Sequence, residues 1–295
     1  MEILNQYING NTLVTIYNDG TKIREYNKDP QPEFPESIDL KITDYCDMGC
    51  PYCHESSTKK GKHADVENIM SMLSTLPAGV EIAIGGGNPL SHPQLFKLLM
   101  LLKKQGLIAN LTVNQGHLKK YYNNLSELIK TNLIYGLGIS INTNNYDKVK
   151  LLSQQTNNIV FHLIAGIHEI DIIDKLGEFD HCKILILGYK CFGFGNSYYN
   201  DTIQKRLLNW QQNIYKYLTK YNLSFDNLAI KQLHIKNLLT DDAWEKYYMG
   251  DDGQFSLYID AIKLEYATTS TSAQRYSTEQ INFRKILSKN REYFL

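Results

Sequence analysis

Downstream of residue 37, short apolar runs alternate with longer stretches whose apolar residues recur every three or four positions. The runs are IDLKIT (38–43), EIAIG (81–85), LIANLTV (107–113), IYGLGISI (134–141), IVFHLIAG (159–166) and KILILG (183–188). Between them lie DVENIMSMLSTL, HPQLFKLLMLLKKQ, LKKYYNNLSELIK, YDKVKLLSQQ and HEIDIIDKLG, each with one apolar face that can cover a sheet. Several runs are apolar at successive positions, as strands are when a parallel sheet is covered on both sides. The rhythm predicts an α/β protein. Periodicity alone does not choose between a barrel-like sheet and an open, doubly wound one.

The ends depart from this rhythm. TLVTIYNDGTKIREY places two extended runs around Asn18-Asp19-Gly20, a hairpin signal, and the proline-bearing NKDPQPEFPES reads as a connector. After residue 201, TIQKRLLNWQQNIYKYLTKY predicts a long helix with Leu207, Leu208, Ile214, Tyr215 and Leu218 in the core. LAIKQLHI reads as a further strand and FSLYIDAIKLEYA as a hairpin or closing strand pair. The expected organisation is a hairpin and connector over 1–36, a core barrel over 37–200, and an extension over 201–295 covering the barrel mouth.

Composition narrows the function classes. The 295 residues are 43% hydrophobic, as in ordinary globular proteins. Lys+Arg and Asp+Glu both number 31, so no global positive field exists for a nucleic acid, and no such partner is expected. MEILNQYING lacks the features of a signal peptide, and no apolar run approaches the roughly 20 residues that cross a bilayer. A cytoplasmic protein with no membrane partner is expected. Five cysteines, an odd count, argue against a disulfide framework. Cys182, in HCKILILG, directly precedes the last strand run, as a buried thiol, and Cys191 lies in the glycine-rich loop beyond it.

The other three, Cys46, Cys50 and Cys53, lie in DYCDMGCPYCHESS immediately after the first strand run. In barrels, that C-terminal rim is where active-site loops gather. Three thiolates suit three irons of a cubane [4Fe–4S] cluster with the fourth left open. A Cys3His zinc site completed by His54 or His63 is the lesser alternative.

Cys46-Asp47-Met48-Gly49-Cys50-Pro51-Tyr52-Cys53 resembles the CxxxCxΦC motif of the radical S-adenosylmethionine (SAM) superfamily, with Tyr52 at its aromatic position. Together with the strand-then-helix rhythm, the expected fold is a partial TIM-type (β/α)6 barrel with a small N-terminal hairpin and a C-terminal αβ extension. The resemblance implies that the three cysteines hold a [4Fe–4S] cluster and that SAM chelates its open iron. Electron transfer from the cluster would cleave SAM to a 5′-deoxyadenosyl radical, which abstracts hydrogen from a substrate. Gly86-Gly87-Asn88-Pro89 resembles the family's Gly-Gly-Glu-Pro stretch, with Asn88 at the acidic position that receives the SAM amine. Ser140 and Asn142 resemble polar positions that meet the ribose and methionine parts, and Gly166 the turn beside adenine. Gly188-Tyr189-Lys190 and Phe192–Gly195 would shape the far wall. Asn114-Gln115-Gly116-His117 resembles a rim turn, in which His117 is an acid–base candidate or a solvated cap, while His162 faces inward or packs in the core. The resemblance spans about residues 37–190.

Such chemistry requires a one-electron donor such as a flavodoxin or ferredoxin, and Lys59, Lys60, Lys62 and His63 form a basic loop that could attract one. Small-molecule, nucleoside and peptide substrates all remain open, with Asp260, Glu265 and Arg275 as candidate contacts. No second cysteine cluster offers ligands for an auxiliary iron–sulfur site. Two other functions fit: an activase that installs a radical on a protein partner, and a noncatalytic interaction module stabilised by zinc or iron–sulfur.

Overall fold

Residues 2–279 and 281–287 are described by the computed structural model. A three-stranded antiparallel sheet comes first: β1 (Ile3–Asn9), β2 (Thr12–Tyr17) and β3 (Lys22–Glu25), in that order. The Asp19-Gly20 turn joins β2 to β3, and Gly20 takes the positive φ of +86° that such a turn needs. Polar Asn5, Gln6 and Asn9 hide β1 from a hydrophobicity pattern. Asn9 is nevertheless buried, donating to Phe34 O at 2.9 Å and accepting from Glu33 N at 2.8 Å, so it clamps the connector to the sheet.

The six predicted runs become β4 (Ser37–Thr43), β5 (Glu81–Gly86), β6 (Ile108–Asn114), β7 (Gly136–Ser140), β8 (Ile159–Ile164) and β9 (Lys183–Leu187). All pair in parallel with their chain neighbours. Their crossovers carry α1 (Val66–Leu73), α2 (Leu95–Gln105), α3 (Leu118–Lys130), α4 (Asp147–Ser153) and α5 (Ile172–Leu176). Alternate residues explain the layering. Ile38, Leu40, Ile42, Ile82 and Ile84 are buried in the same core as Ile69, Leu73, Leu98 and Leu99 of α1 and α2. Each such side chain contributes roughly 1.5–3 kcal/mol by leaving water. The intervening residues, Asp39 and Lys41 on β4 and Ala83 and Gly85 on β5, line the cavity inside the barrel. This is a partial (β/α)6 barrel of TIM type.

Beyond β9 come α6 (Phe194–Tyr198) and α7 (Asp201–Asn213), then β10 (Asn222–Phe225), α8 (Asn227–Gln232) and α9 (Asp241–Tyr247). The tail adds β11 (Ser256–Asp260), β12 (Glu265–Ala267) and β13 (Tyr276–Ser277). β10 extends the sheet beside β9, while β11 joins the opposite edge in parallel with β4 and turns back into β12. FSLYIDAIKLEYA therefore forms the expected hairpin, but it extends an edge. No ladder links β10 to β13, so the ten-stranded sheet stays open among the described residues.

Two expectations are corrected. LAIKQLHI is mostly α8, because Asp226 caps its start by accepting from Ala229 N, and NLSF just upstream takes the strand role. The long helix ends at Asn213, and its buried stripe runs through Ile203, Trp210 and Ile214. Leu208 and Tyr215 point to solvent, one position out of phase with that stripe. Among the described residues, no helix is long and apolar enough to cross a membrane.

Candidate active site

The three cysteines sit on the loop leaving β4, and backbone hydrogen bonds determine its path. Cys46 N donates to Thr58 O (3.0 Å), Thr58 N to Asp44 O (3.1 Å), and Asp44 N to Lys62 O (2.8 Å). The end of β5 is tied to the same loop, through Gly87 N to Thr43 O (2.7 Å) and Asn88 N to Tyr45 O (2.6 Å). This close approach explains two glycines. Gly86 has φ +108°, and a Cβ on Gly87 would meet Tyr45 O at 2.2 Å. Gly87→Ala should therefore cost about 1–3 kcal/mol of stability in urea denaturation, because only a backbone shift relieves the clash. A Cβ on Gly85 meets nothing within 4 Å. Gly85→Ala should keep wild-type stability while reducing the space beside the thiols.

Cys46, Cys50 and Cys53 are half-buried free thiols that line one cavity of about 310 Å³. Burial and the neighbouring thiols raise Cys46 and Cys50 above the usual thiol range. Tyr52, Gly86, Gly87 and Ser140 line the same cavity. Three soft sulfur donors converging beside open space fit an iron–sulfur centre with room for a further ligand.

The remaining sequence candidates lie elsewhere. Asn88 is fully buried, and its Oδ1 accepts from Leu90 N to cap the short turn Pro89–Ser91. Asn142 stands one step behind the wall. Its Nδ2 donates to Asn114 Oδ1 at 2.6 Å, and Asn114 Nδ2 reaches Cys50 Sγ at 3.8 Å. Gln115 ties the ends of β6 and β7, accepting from Asn142 N and Thr143 N and donating to Asn145 O. Gly166, with φ +88°, packs against Ile203 and Leu207 of α7. His117 is buried, neither solvated nor a side-chain cap, and its Nε2 lies 2.8 Å from Asp47 Oδ1. With Cys46 these two bring ligating atoms within 4.8 Å of one another, a metal-compatible grouping that joins the cysteine loop to the start of α3. The Cys3His zinc site is not assembled among the described residues. His63 Nδ1 contacts Thr43 Oγ1 at 2.8 Å with its ring edge-on to His92, and His54 Nε2 lies 3.4 Å from Glu55.

His162 faces the cavity over Gly138, and burial pushes its imidazole down to about 4 from 6.5. Between those values the unfolded chain takes up a proton that the folded chain refuses. Stability therefore falls as pH falls through the window, by about 3 kcal/mol in full. His162→Gln should flatten that loss when urea denaturation is compared at its two ends.

Sequence reasoning missed the hub beside the loop. Buried Lys41 lies 2.6 Å from Asp44, 2.7 Å from Glu55 and 3.2 Å from Asp260. Tyr258 OH donates to Glu55 at 3.2 Å, so β11 grips the residue two beyond Cys53. Burial raises the Glu55 carboxyl, but hydrogen bonding and charge from His54 and Lys41 outweigh it and bring it to about 2. Asp260, a substrate-contact candidate, thus pairs internally and also accepts from Ile262 N and Lys263 N. Arg275 lies over the Tyr258 ring at 5.1 Å. The available signal was Asp39 and Lys41 alternating within an otherwise apolar strand, the mark of a barrel interior that is polar. Asp39 lines the cavity with its side chain accessible to that space, and enclosure by the surrounding barrel raises its carboxyl above the usual range.

Fold and site together define an enzyme with a metal-compatible loop on the C-terminal rim of a partial (β/α)6 barrel. The chain belongs to the radical SAM superfamily, whose profile matches residues 40–190. It is similar to the crystal structure of Streptococcus suis SuiB bound to precursor peptide SuiA, at 13% identity and TM-score 0.61, covering 87% of this chain and 65% of that one. SuiB bound to S-adenosylmethionine matches at 15% identity and TM-score 0.59, covering 86% and 66%. A further crystal structure of Streptococcus suis SuiB matches at 13% and TM-score 0.61, covering 97% and 88%. The chain thus spans less than two thirds of SuiB's length in the first two structures, and the likeness is one of fold. No curated protein matches the chain significantly.

Proposed function

We propose that Cys46, Cys50 and Cys53 hold a [4Fe–4S] cluster and that SAM occupies the adjoining cavity, against the glycine end of β5. One observation carries this reading: the three thiols and Gly85–Gly87 open onto the same space. When bound, the cluster supplies the electron for reductive cleavage of SAM, which initiates hydrogen abstraction from the substrate.

The chain's own residues position and exclude. Gly85 leaves its side of the cavity free for close approach. Tyr52 and Ser140 line the same space. Asn114 donates towards Cys50 Sγ, favouring the thiolate's negative charge, and Asn142 orients Asn114 from behind. Asn88 contributes through the turn it caps, which sets the backbone beside the cavity. Lys41, Glu55 and Tyr258 hold the exit of the cysteine loop against the C-terminal strands.

For the substrate, a peptide has an observation behind it, since a structure of this fold contains a precursor peptide. An activase would perform the same hydrogen abstraction on a protein partner. The test is anaerobic iron–sulfur reconstitution followed by electron paramagnetic resonance. The reduced cluster's signal should change on SAM addition and 5′-deoxyadenosine should form. A modified peptide co-formed with it identifies the substrate, and a stable radical on a protein partner identifies an activase. Tight zinc binding without iron–sulfur uptake would overturn the reading.

A further inference from the structure

One carboxylate inside the barrel is left without a partner. Asp39 and Lys41 are successive interior residues of β4, and both line the cavity. Lys41 is matched by Asp44, Glu55 and Asp260. The Asp39 carboxylate makes neither a hydrogen bond nor an ion pair among the described residues. Enclosure disfavours its charge, and Asp252 and Asp226 add further negative charge against the opposing charge of Lys190. Lys190 itself turns to Ser270, donating to its Oγ at 2.9 Å. An enclosed acceptor of this kind is unfavourable until a donor arrives.

Room for such a donor is built into the neighbouring strand. Barrel interiors are ordinarily filled by bulky branched side chains. Here Ala83 stands in register with Asp39 and Gly85 with Lys41, so β5 leaves the space beside the carboxylate open. On the other side Tyr258 of β11 holds the matching register position and lines the same cavity. Asp39 lies two residues before Lys41, roughly 7 Å deeper in the barrel than Gly85 at the usual strand rise. The lower end is covered by β3, whose Lys22 lies 2.5 Å from Glu81 and Arg24 2.9 Å from Glu36. Asp39 therefore sits below the space proposed for SAM and above a closed floor.

We propose that Asp39 is a substrate-recognition residue that receives a cationic nitrogen group, ammonium or guanidinium, carried by the substrate into the barrel. The inference rests on the radical SAM reading and names the chemistry of its substrate. The cation forms a charge-assisted hydrogen bond to a carboxylate that has no competing partner. Ala83 and the Tyr258 ring flank the apolar stem that carries the charge. A neutral analogue leaves the carboxylate unmet, and the site rejects it on that account.

The test titrates reconstituted holoenzyme with Nα-acetyl-lysine amide and its neutral analogue Nα-acetyl-norleucine amide, followed by ligand-observed NMR. Wild type should bind the lysine probe about 10- to 100-fold more tightly. Asp39→Asn keeps the shape and removes the charge, and should bring that ratio to about 1. Its norleucine affinity should match wild type and its urea midpoint should not fall, which separates lost recognition from lost structure. The wild-type ratio should persist when SAM is added. Equal affinities in wild type, no binding of either probe, or a ratio that survives Asp39→Asn overturns the proposal. A ratio lost on SAM addition gives Asp39 to SAM and overturns it as well. Failure of the radical SAM reading shows separately, as a reduced centre whose paramagnetic resonance signal ignores SAM.

Discussion

Replacing Cys46, Cys50 or Cys53 by alanine should abolish cluster assembly and 5′-deoxyadenosine formation, each loss exceeding about 100-fold. Groups that only support a metal ligand typically account for 10–100-fold, and these three residues are proposed as the ligands themselves. His54 and His63 are engaged with Glu55 and Thr43, and the remaining cysteines are elsewhere. Cys182→Ala and Cys191→Ala should retain both properties. Burial pushes the Cys182 thiol up to about 12, and Cys191 is exposed on the surface. Iron and sulfide content together with product chromatography checks all five variants. Wild-type turnover by any of the first three would remove that residue from the ligand set.

Lys41→Met should destabilise the fold by about 3–5 kcal/mol, measured as the shift in urea midpoint. The substitution keeps most of the side-chain volume and removes only the charge. Lys41 is 5% exposed, and Glu55 and Asp260 are 12% and 5% exposed by side chain. Without the ammonium, these carboxylates face each other away from water. Removing charge on both sides should cost less than the single change. Lys41→Met with Glu55→Gln should recover part of the loss, since the two sites share one interaction. The same single variant should impair iron–sulfur uptake, because Glu55 anchors the loop just past Cys53. A shift below about 1 kcal/mol would show that the hub behaves like a solvated surface pair.

Much of the architecture was legible without coordinates. The runs at 38–43, 81–85 and 183–188 became β4, β5 and β9 almost residue for residue, since period and apolar content are local properties. The three thiols were legible for a similar reason: they lie within eight consecutive residues, and the loop simply keeps them together. Candidates drawn from later strand ends fared according to direction. Ser140 reaches the cavity, whereas Asn142, two residues on, turns its side chain to Asn114. Asn88 was placed correctly at the strand end, but its side chain is used by the turn that follows. At α8, local apolar content looked like a strand until the Asp226 cap and upstream β10 set the boundary.

The chain alone determined where the core strands and the helices between them lie, and which thiols cluster in one loop. Each depends on residues close together in sequence. Only the tertiary structure decided that the sheet stays open, that β11 flanks β4, and that Lys41 unites Asp44, Glu55 and Asp260. The Tyr258–Glu55 hydrogen bond joins residues 203 positions apart. No periodicity encodes such a pairing; it follows from which strand edge remains free once the others have paired, and from which side chains then face inward.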